Sequence, residues 1–360
     1  MNYFFLALST TLLILNFFVA WKTVKYVFPS DKKILFIILF LILTILLYGY
    51  QFFNSYFISN FSYGSNRILS YIVYYYLAFV IYGAMVYFIV SVVEMIFKYK
   101  LNLNLYKPGF IIIFLILAIG TFYKHSTLLT EYEIDSEGKI SAPMNIVLVS
   151  DVHLGHINGN ASLIKMIDKV NSLKPDIVLI AGDLIDMYLE PVLEKNMLEE
   201  LKNIKSTYGT YFTLGNHDIY GSEAAMLTEI LRNNAETIVL RDEKILVNNE
   251  IYIAGRDNFS KKPLKDIIGE HSDKPVILIQ HTPDTIEETV ENKIDLQVSG
   301  HTHKGQFFPG NLFTKRIFLI DYGYKKISDS NILVSSGYGT WGPPIRIGSS
   351  SEICLIKFYN

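Results

Sequence analysis

Five times after residue 144 the chain repeats one pattern, a short apolar run that breaks on aspartate, asparagine or histidine. Asn145 to Ser150 runs into Asp151-Val152-His153, and Ile177 to Ala181 runs into Gly182-Asp183-Leu184-Ile185-Asp186. Tyr211 to Leu214 ends in Gly215-Asn216-His217-Asp218, Pro275 to Gln280 in His281, and Leu296 to Ser299 in Gly300-His301-Thr302-His303. An unbroken apolar run of this length reads as a strand covered on both faces. In α/β proteins, ligands gather where parallel strands end at their carboxyl edge. The repetition predicts an α/β domain with its polar chemistry collected along one sheet edge.

Helical periods fill the gaps. Asn160 is placed to cap a helix whose apolar face is Leu163, Ile164, Ile167, Val170 and Leu173. Pro191 opens a second, with Leu193, Met197, Leu201 and Ile204 inward, and Ala224 to Leu231 makes a third. Arg316 to Ile320, Asn331 to Ser335 and Glu352 to Phe358 read as short strands. Strands alternating with helices early and further strands late predict two packed β-sheets flanked by helices, an α/β/β/α sandwich. Cys354, the single cysteine, lies in the last run and reads as a buried strand residue.

The first third is different. A hydrophobic content of 51% is too high for one soluble domain, and the excess lies before about residue 124. Tyr3 to Ala20, Ile34 to Phe53, Ile68 to Phe97 and Gly109 to Tyr123 approach the roughly 20 residues that a spanning helix needs. Residues 1–124 therefore read as a transmembrane region of four helices. Residues 125–143 read as a polar linker with an edge strand at Thr130 to Ile134, and 144–360 as the α/β domain. Glu94, one turn before Lys98, is expected to pair with it. Lysines 22, 25, 32 and 33 in the first loop, and 98, 100 and 107 in the third, outnumber the lone Arg67 of the middle loop. Basic loops stay cytoplasmic, which places both ends and the α/β domain on the outer side; a fourth segment that does not cross would put that domain in the cytoplasm instead. The spans hold almost no ionisable residue, so an anchor is expected rather than a transport path. The tyrosines at 71, 74, 75, 76, 82 and 87 suit interfacial belts or hydrogen bonds between helices. A net charge of -2 gives no electrostatic reason to expect nucleic acid.

Carboxylates, imidazoles and amide oxygens are the mixed ligands that borderline divalent metals take. The five strand endings hold five of the chain's eight histidines and enough donors for two ions. Gly182, Gly215 and Gly300 each precede a candidate ligand, where a bare backbone permits a sharp exit from the strand.

The order D-x-H, G-D-x-x-D, G-N-H-D, H, G-H-x-H resembles the calcineurin-like metallophosphoesterase superfamily over about residues 144 to 358. The tail Ser335-Ser336-Gly337-Tyr338-Gly339-Thr340-Trp341-Gly342-Pro343-Pro344 is similar to a membrane-anchored bacterial branch related to lipid-sugar pyrophosphohydrolases. Lys304 departs from that branch, which usually has a second glycine there. The resemblance implies one metal on Asp151, His153 and His303 and another on Asn216, His281 and His301. Asp183 would bridge them through its two oxygens, and manganese, iron or zinc would suit. It implies that His217 protonates the departing oxygen, with Asp218 able to orient its ring and Asp186 accepting a hydrogen bond behind the ligands. His156 and Arg346 are candidate substrate contacts, and Gly337 to Pro344 a loop over the site. Phe307, Phe308, Leu312 and Phe313 read as packing, with an apolar lip facing a bilayer as the alternative.

The expected function is a membrane-bound dinuclear phosphoesterase. It would hydrolyse a phosphoester or pyrophosphate with a hydroxide shared by two cations, on a membrane-associated or envelope substrate, lipid-linked ones included. The competing expectations are a sensory or binding protein with a non-catalytic metal site, and a transporter with an accessory hydrolase.

Overall fold

The computed structural model describes residues 3–97, 104–233, 237–270 and 273–360. Lys98, Lys100 and His271 lie outside these, and so does the expected Glu94–Lys98 pair. The chain forms two compact units, Met1–Phe122 with Gly342–Pro344, and Tyr123–Trp341 with Ile345–Asn360.

The first unit is helical: α1 (Tyr3–Tyr26), α2 (Lys33–Asn60), α3 (Tyr63–Ile96) and α4 (Tyr106–His125), the last running on into the second unit. Among the described residues three helices are long and apolar enough to cross a membrane, Ser30–Tyr50, Tyr63–Ile96 and Tyr106–His125, against four expected. The missing one is α1, whose first residues include side chains outside those described. Buried polar groups in this unit find partners across helices. Tyr76 Oη donates to Asn16 Oδ1 at 2.6 Å, and Asn16 Nδ2 donates to Thr44 Oγ1 at 2.7 Å. Thr23 Oγ1 reaches Tyr87 Oη at 3.1 Å. Unpaired polar groups in an apolar layer cost several kcal/mol, about the scale that makes such pairing necessary.

The second unit contains twelve strands among the described residues: β1 (Thr127–Asp135), β2 (Met144–Val149), β3 (Ile177–Ala181), β4 (Thr210–Thr213), β5 (Thr237–Val239), β6 (Glu243–Val247), β7 (Ile251–Arg256), β8 (Val276–Gln280), β9 (Leu296–Ser299), β10 (Gly323–Ile327), β11 (Ser330–Val334) and β12 (Ser351–Tyr359). Its helices are α5 (Asn160–Ser172), α6 (Glu190–Glu194), α7 (Asn216–Tyr220), α8 (Ala224–Asn233), α9 (Leu264–Ile268), α10 (Ile286–Glu291) and α11 (Gly310–Ile317). The strands make two mixed six-stranded sheets, ordered β1-β12-β2-β3-β4-β5 and β10-β11-β9-β8-β7-β6. They are flanked by helices, as expected. Strand periodicity builds the layers. On β8, Ile277 and Ile279 enter the core between the sheets with Leu148, Leu179 and Val298, whereas Val276 and Leu278 pack outward with Leu264, Ile267 and Ile268 of α9. Cys354 lies in the inter-sheet core.

Several local expectations change. The edge strand expected at Thr130 to Ile134 is present and longer, as β1, which pairs in parallel with β12 along its whole length, Thr127 opposite Ser351 and Asp135 opposite Tyr359. Its signal was alternation, because Tyr132 and Ile134 turn to the core while Glu131 and Glu133 face water. Gly159, not Asn160, holds the N-cap position of α5; Asn160 Nδ2 instead donates to Lys195 O, and Ile164 is exposed. The helix expected after Pro191 is the short α6 followed by a 3-10 turn at Met197–Asn203, split at the left-handed Asn196, and Leu193 stays exposed. Arg316 and Ile317 close the helix α11 rather than opening a strand.

Candidate metal centre

The strand endings are brought together by two sheets, not one. Asp151 and His153 follow β2, Asp183 and Asp186 follow β3, and Asn216 to Asp218 follow β4 in the first sheet. His281 follows β8, and His301 and His303 follow β9 in the second. These strands run parallel within their sheets, and the carboxyl edges of the two sheets meet.

His303 Nε2 lies 3.1 Å from His153 Nε2 and 3.2 Å from Asp151 Oδ1. His281 Nε2 lies 3.1 Å from both Asn216 Oδ1 and Asp183 Oδ2. A cation bound at about 2.0–2.2 Å separates its own ligands by about 3–3.6 Å at tetrahedral or octahedral angles. The observed spacings are those of coordination edges, so the donor set fits divalent metal. Asp151, His153 and His303 form one group that could hold an ion; Asp183, His281 and His301 form a second. His153, Asp186 and His217 form a third grouping on the far side of the His153 ring.

Asp183 departs from expectation in one detail. Its Oδ1 accepts the His217 backbone N–H at 2.8 Å. Oδ2 alone faces both groups, 3.1 Å from His281 Nε2 and 3.7 Å from His153 Nε2. A single oxygen is therefore presented to both sides.

Protonation suits ligation. His281 Nδ1 is 2.7 Å from the Ala181 carbonyl; donating to it leaves Nε2 free to bind. Burial holds His301 and His303 down to about 4, so both are neutral. Burial opposes charge on Asp183, yet the imidazoles of His281 and His153 hold its pKa at about 2. Burial likewise opposes a proton on His281, but Asp183 and Asp151 push it up to about 10, a sign that this pocket attracts positive charge.

The backbone is bent to deliver these atoms. Asp151, His153, Asp183, His301 and His303 all have left-handed φ, between 49° and 69°. Each such non-glycine residue costs about 1 kcal/mol or more and persists only where surrounding structure enforces it. Of the three glycines, Gly182 alone is left-handed, at φ 76°. Gly215 and Gly300 are required for space: a Cβ on Gly300 would lie 1.7 Å from Ser150 Oγ and 2.2 Å from Asp151 Oδ2. Gly300→Ala should therefore displace Asp151, destabilise the domain by about 1–3 kcal/mol and lower its metal content. Thermal unfolding and elemental analysis of the purified variant check this.

Around the ligands the sequence reading needs revision. Asp186 Oδ1, not Asp218, orients His217, at 3.1 Å from Nδ1, and it stands 3.6 Å from Nδ1 of His153. Burial disfavours the imidazolium of His217, but Asp186 and Asp183 outweigh it and raise its pKa to about 9. Asp218 is fully buried with both oxygens committed to backbone, accepting from Gly215 N at 2.8 Å and Ile185 N at 3.0 Å. Arg346 is neither a surface residue nor a free phosphate clamp. It is wholly buried and donates to the carbonyls of Ser336, Gly337, Gly339 and Ser350, with Nη2 3.4 Å from His303 Nδ1. His156 is buried and is not part of the cleft lining. Lys304 keeps the left-handed backbone at φ 51° that makes glycine the easier occupant, and its Nζ sits 4.1 Å over the Tyr322 ring.

Asp183, Asn216, His217, His301 and His303 open into a cleft of about 410 Å³ that is also lined by Tyr220, Thr314, Phe318 and Trp341. Sequence reasoning missed Tyr220, although it sits one turn beyond Asn216 on α7. Trp341 belongs to the expected loop, which also caps Asp151: Gly339 N donates to Asp151 O at 2.7 Å. Leu312 and Phe313 are not packed inside but exposed.

The family described as Calcineurin-like phosphoesterase matches residues 144–305. An uncharacterized metallophosphoesterase of Helicobacter pylori is 34% identical over 228 residues, 61% of this chain and 60% of that protein. A transmembrane protein with metallophosphoesterase domain from Danio rerio is 32% identical over 59% of this chain and 52% of its own length. An uncharacterized metallophosphoesterase of Aquifex aeolicus is 32% identical over 225 residues, 59% of this chain and 84% of that protein. The match spans about 60% or less of the first two relatives and most of the third. On these matches the chain belongs to the calcineurin-like metallophosphoesterase family.

Proposed function

We propose that this chain is a membrane-anchored hydrolase of phosphate esters or pyrophosphates that uses two divalent cations. One would be held by Asp151, His153 and His303, the other by Asn216, His281 and His301, with Asp183 Oδ2 shared. The observation that carries this reading is the convergence of seven donor side chains, with three of their spacings at 3.1 Å and His301 grouped with Asp183 and His281. Bound there, such a pair would supply Lewis acidity, activating water and neutralising the phosphoryl oxygens.

The chain's own residues do the rest. His217, 16% exposed at the cleft, is held by Asp186 with its other nitrogen free. A pKa near 9 keeps a proton there at neutral pH, available to the leaving oxygen. Asn216 contributes an amide oxygen, which adds no negative charge where an anionic substrate must enter. Asp151 is fixed by Ser150 Oγ at 2.5 Å and by the backbone N–H of His301 at 3.1 Å, so it does not swing with substrate.

Metal-stripped full-length protein, reloaded with Mn²⁺, Fe²⁺ or Zn²⁺ and assayed on phosphomonoesters, diesters and lipid pyrophosphates, tests the proposal. Metal-dependent turnover of at least one class is expected; metal binding without turnover of any would overturn it and favour a sensory role. The lysine-rich first and third loops support an outward-facing domain. A phosphatase fused after Asn360 should then be active and a fluorescent protein dark, the opposite pair refuting that orientation.

A further inference from the structure

Helix α11 follows His303 and its 3-10 turn, His303–Gly305, and carries exposed apolar side chains beside the cleft. Gly310 and Thr314 line the cleft beside His217 and His301. At 100° per residue, Leu312, Arg316, Phe313 and Ile317 spread in that order over an arc of about 140°, from the side opposite the cleft round to Ile317 beside its rim. None of the helix is buried: Leu312 is 50% exposed, Phe313 61% and Ile317 71%, and Leu319 just beyond is 61% exposed. Trp341, at 46%, stands exposed at the same cleft.

Burying one such side chain is worth about 1.5–3 kcal/mol, so leaving several in water on one short helix is a sizeable penalty. Lys315 and Arg316 are exposed among them. Apolar side chains interleaved with cations are the composition of a helix lying in a lipid headgroup layer, where the stems bury and the charges meet lipid phosphates. Protein partners normally cover about 800 Å² of matched surface, far more than this helix offers. A bilayer needs no matched surface, and the chain's own spanning helices keep one within reach.

We propose that α11 seats in the headgroup layer of an anionic membrane, with Leu312, Phe313, Ile317 and Leu319 inserted and Lys315 and Arg316 on lipid phosphates. A phosphate carried by a lipid-anchored molecule would then enter the cleft along Thr314 and Phe318 without leaving the interface. That second statement rests on the proposed hydrolysis; the seating itself does not.

The buried Cys354 leaves engineered cysteines free for labelling. Full-length Phe313→Cys, Ile317→Cys and, as an exposed control, Lys261→Cys would carry one fluorophore each. They would be placed in nanodiscs of phosphatidylcholine with or without phosphatidylglycerol, containing doxyl-labelled lipid. Labels at 313 and 317 should be quenched about twofold more than the control, more strongly with the anionic lipid. Adding Lys315→Glu and Arg316→Glu should remove the anionic increment. Equal quenching at all three sites, or accessibility to aqueous iodide at 313 and 317, would overturn the proposal. So would protection from both quenchers, which marks a protein partner or a second copy. Turnover of soluble p-nitrophenyl phosphate by the same samples reads the catalytic proposal separately.

Discussion

Asp183→Ala is expected to abolish metal-dependent hydrolysis, with kcat/KM falling by about 10³-fold or more, and to leave the purified protein depleted of divalent metal. The size of the effect follows from how many atoms depend on this one side chain. Oδ2 is the oxygen presented to His281 and His153 together, while Oδ1 takes the backbone N–H of His217. Losing the carboxylate removes charge from the centre of the cluster and leaves a part-buried N–H without its acceptor. Asp183→Asn should fall between, because an amide oxygen still reaches the same points without the charge. Elemental analysis beside steady-state kinetics decides it; full metal occupancy with full activity in the alanine variant would refute the shared-oxygen arrangement.

His217→Ala is expected to act on a different quantity. Metal content should be retained, because none of the seven proposed ligands is removed, while kcat falls by about 10²–10⁴-fold. The loss should be large for alkyl phosphates, whose leaving oxygen needs a proton, and small for p-nitrophenyl phosphate, whose leaving group does not. Asp186→Asn should give an intermediate defect of about 10–100-fold, because it releases His217 and also touches His153 at 3.6 Å. A change confined to KM, or equal losses on both substrates, would count against a proton donor at this position.

Strands β2, β3, β4, β8 and β9 were legible because an unbroken apolar run and a polar stop leave little freedom, and all fall within a residue or two of expectation. What could not be read was how side chains beyond the strand ends divide their hydrogen bonds. Asp218 looked available to the neighbouring ring, but it is the third residue of a helix that begins after Gly215, and a free helix N-terminus captures a carboxylate. That local rule was present in the sequence. Asp186 gained the role because the turn after β3 brings it over His217, a distance set by tertiary structure alone. Arg346 was unreadable in a deeper sense, since its acceptors are backbone carbonyls that no residue type announces. Leu312 and Phe313 misled for a simpler reason, because apolar residues without a clear period are assigned to a core by default.

Strand β12 lies between β1 and β2, paired in parallel with one and antiparallel to the other. The sheet that carries Asp151 and His153 thus has a gap in its middle until residues 351–359 have been synthesised. While the ribosome is still making the domain, β2 has no neighbour on that side and the ligands it carries stand on an unfinished edge. Formation of the candidate metal centre accordingly depends on residues 351–359, and a chain cut short before Ser351 would lack the strand that joins β1 to β2.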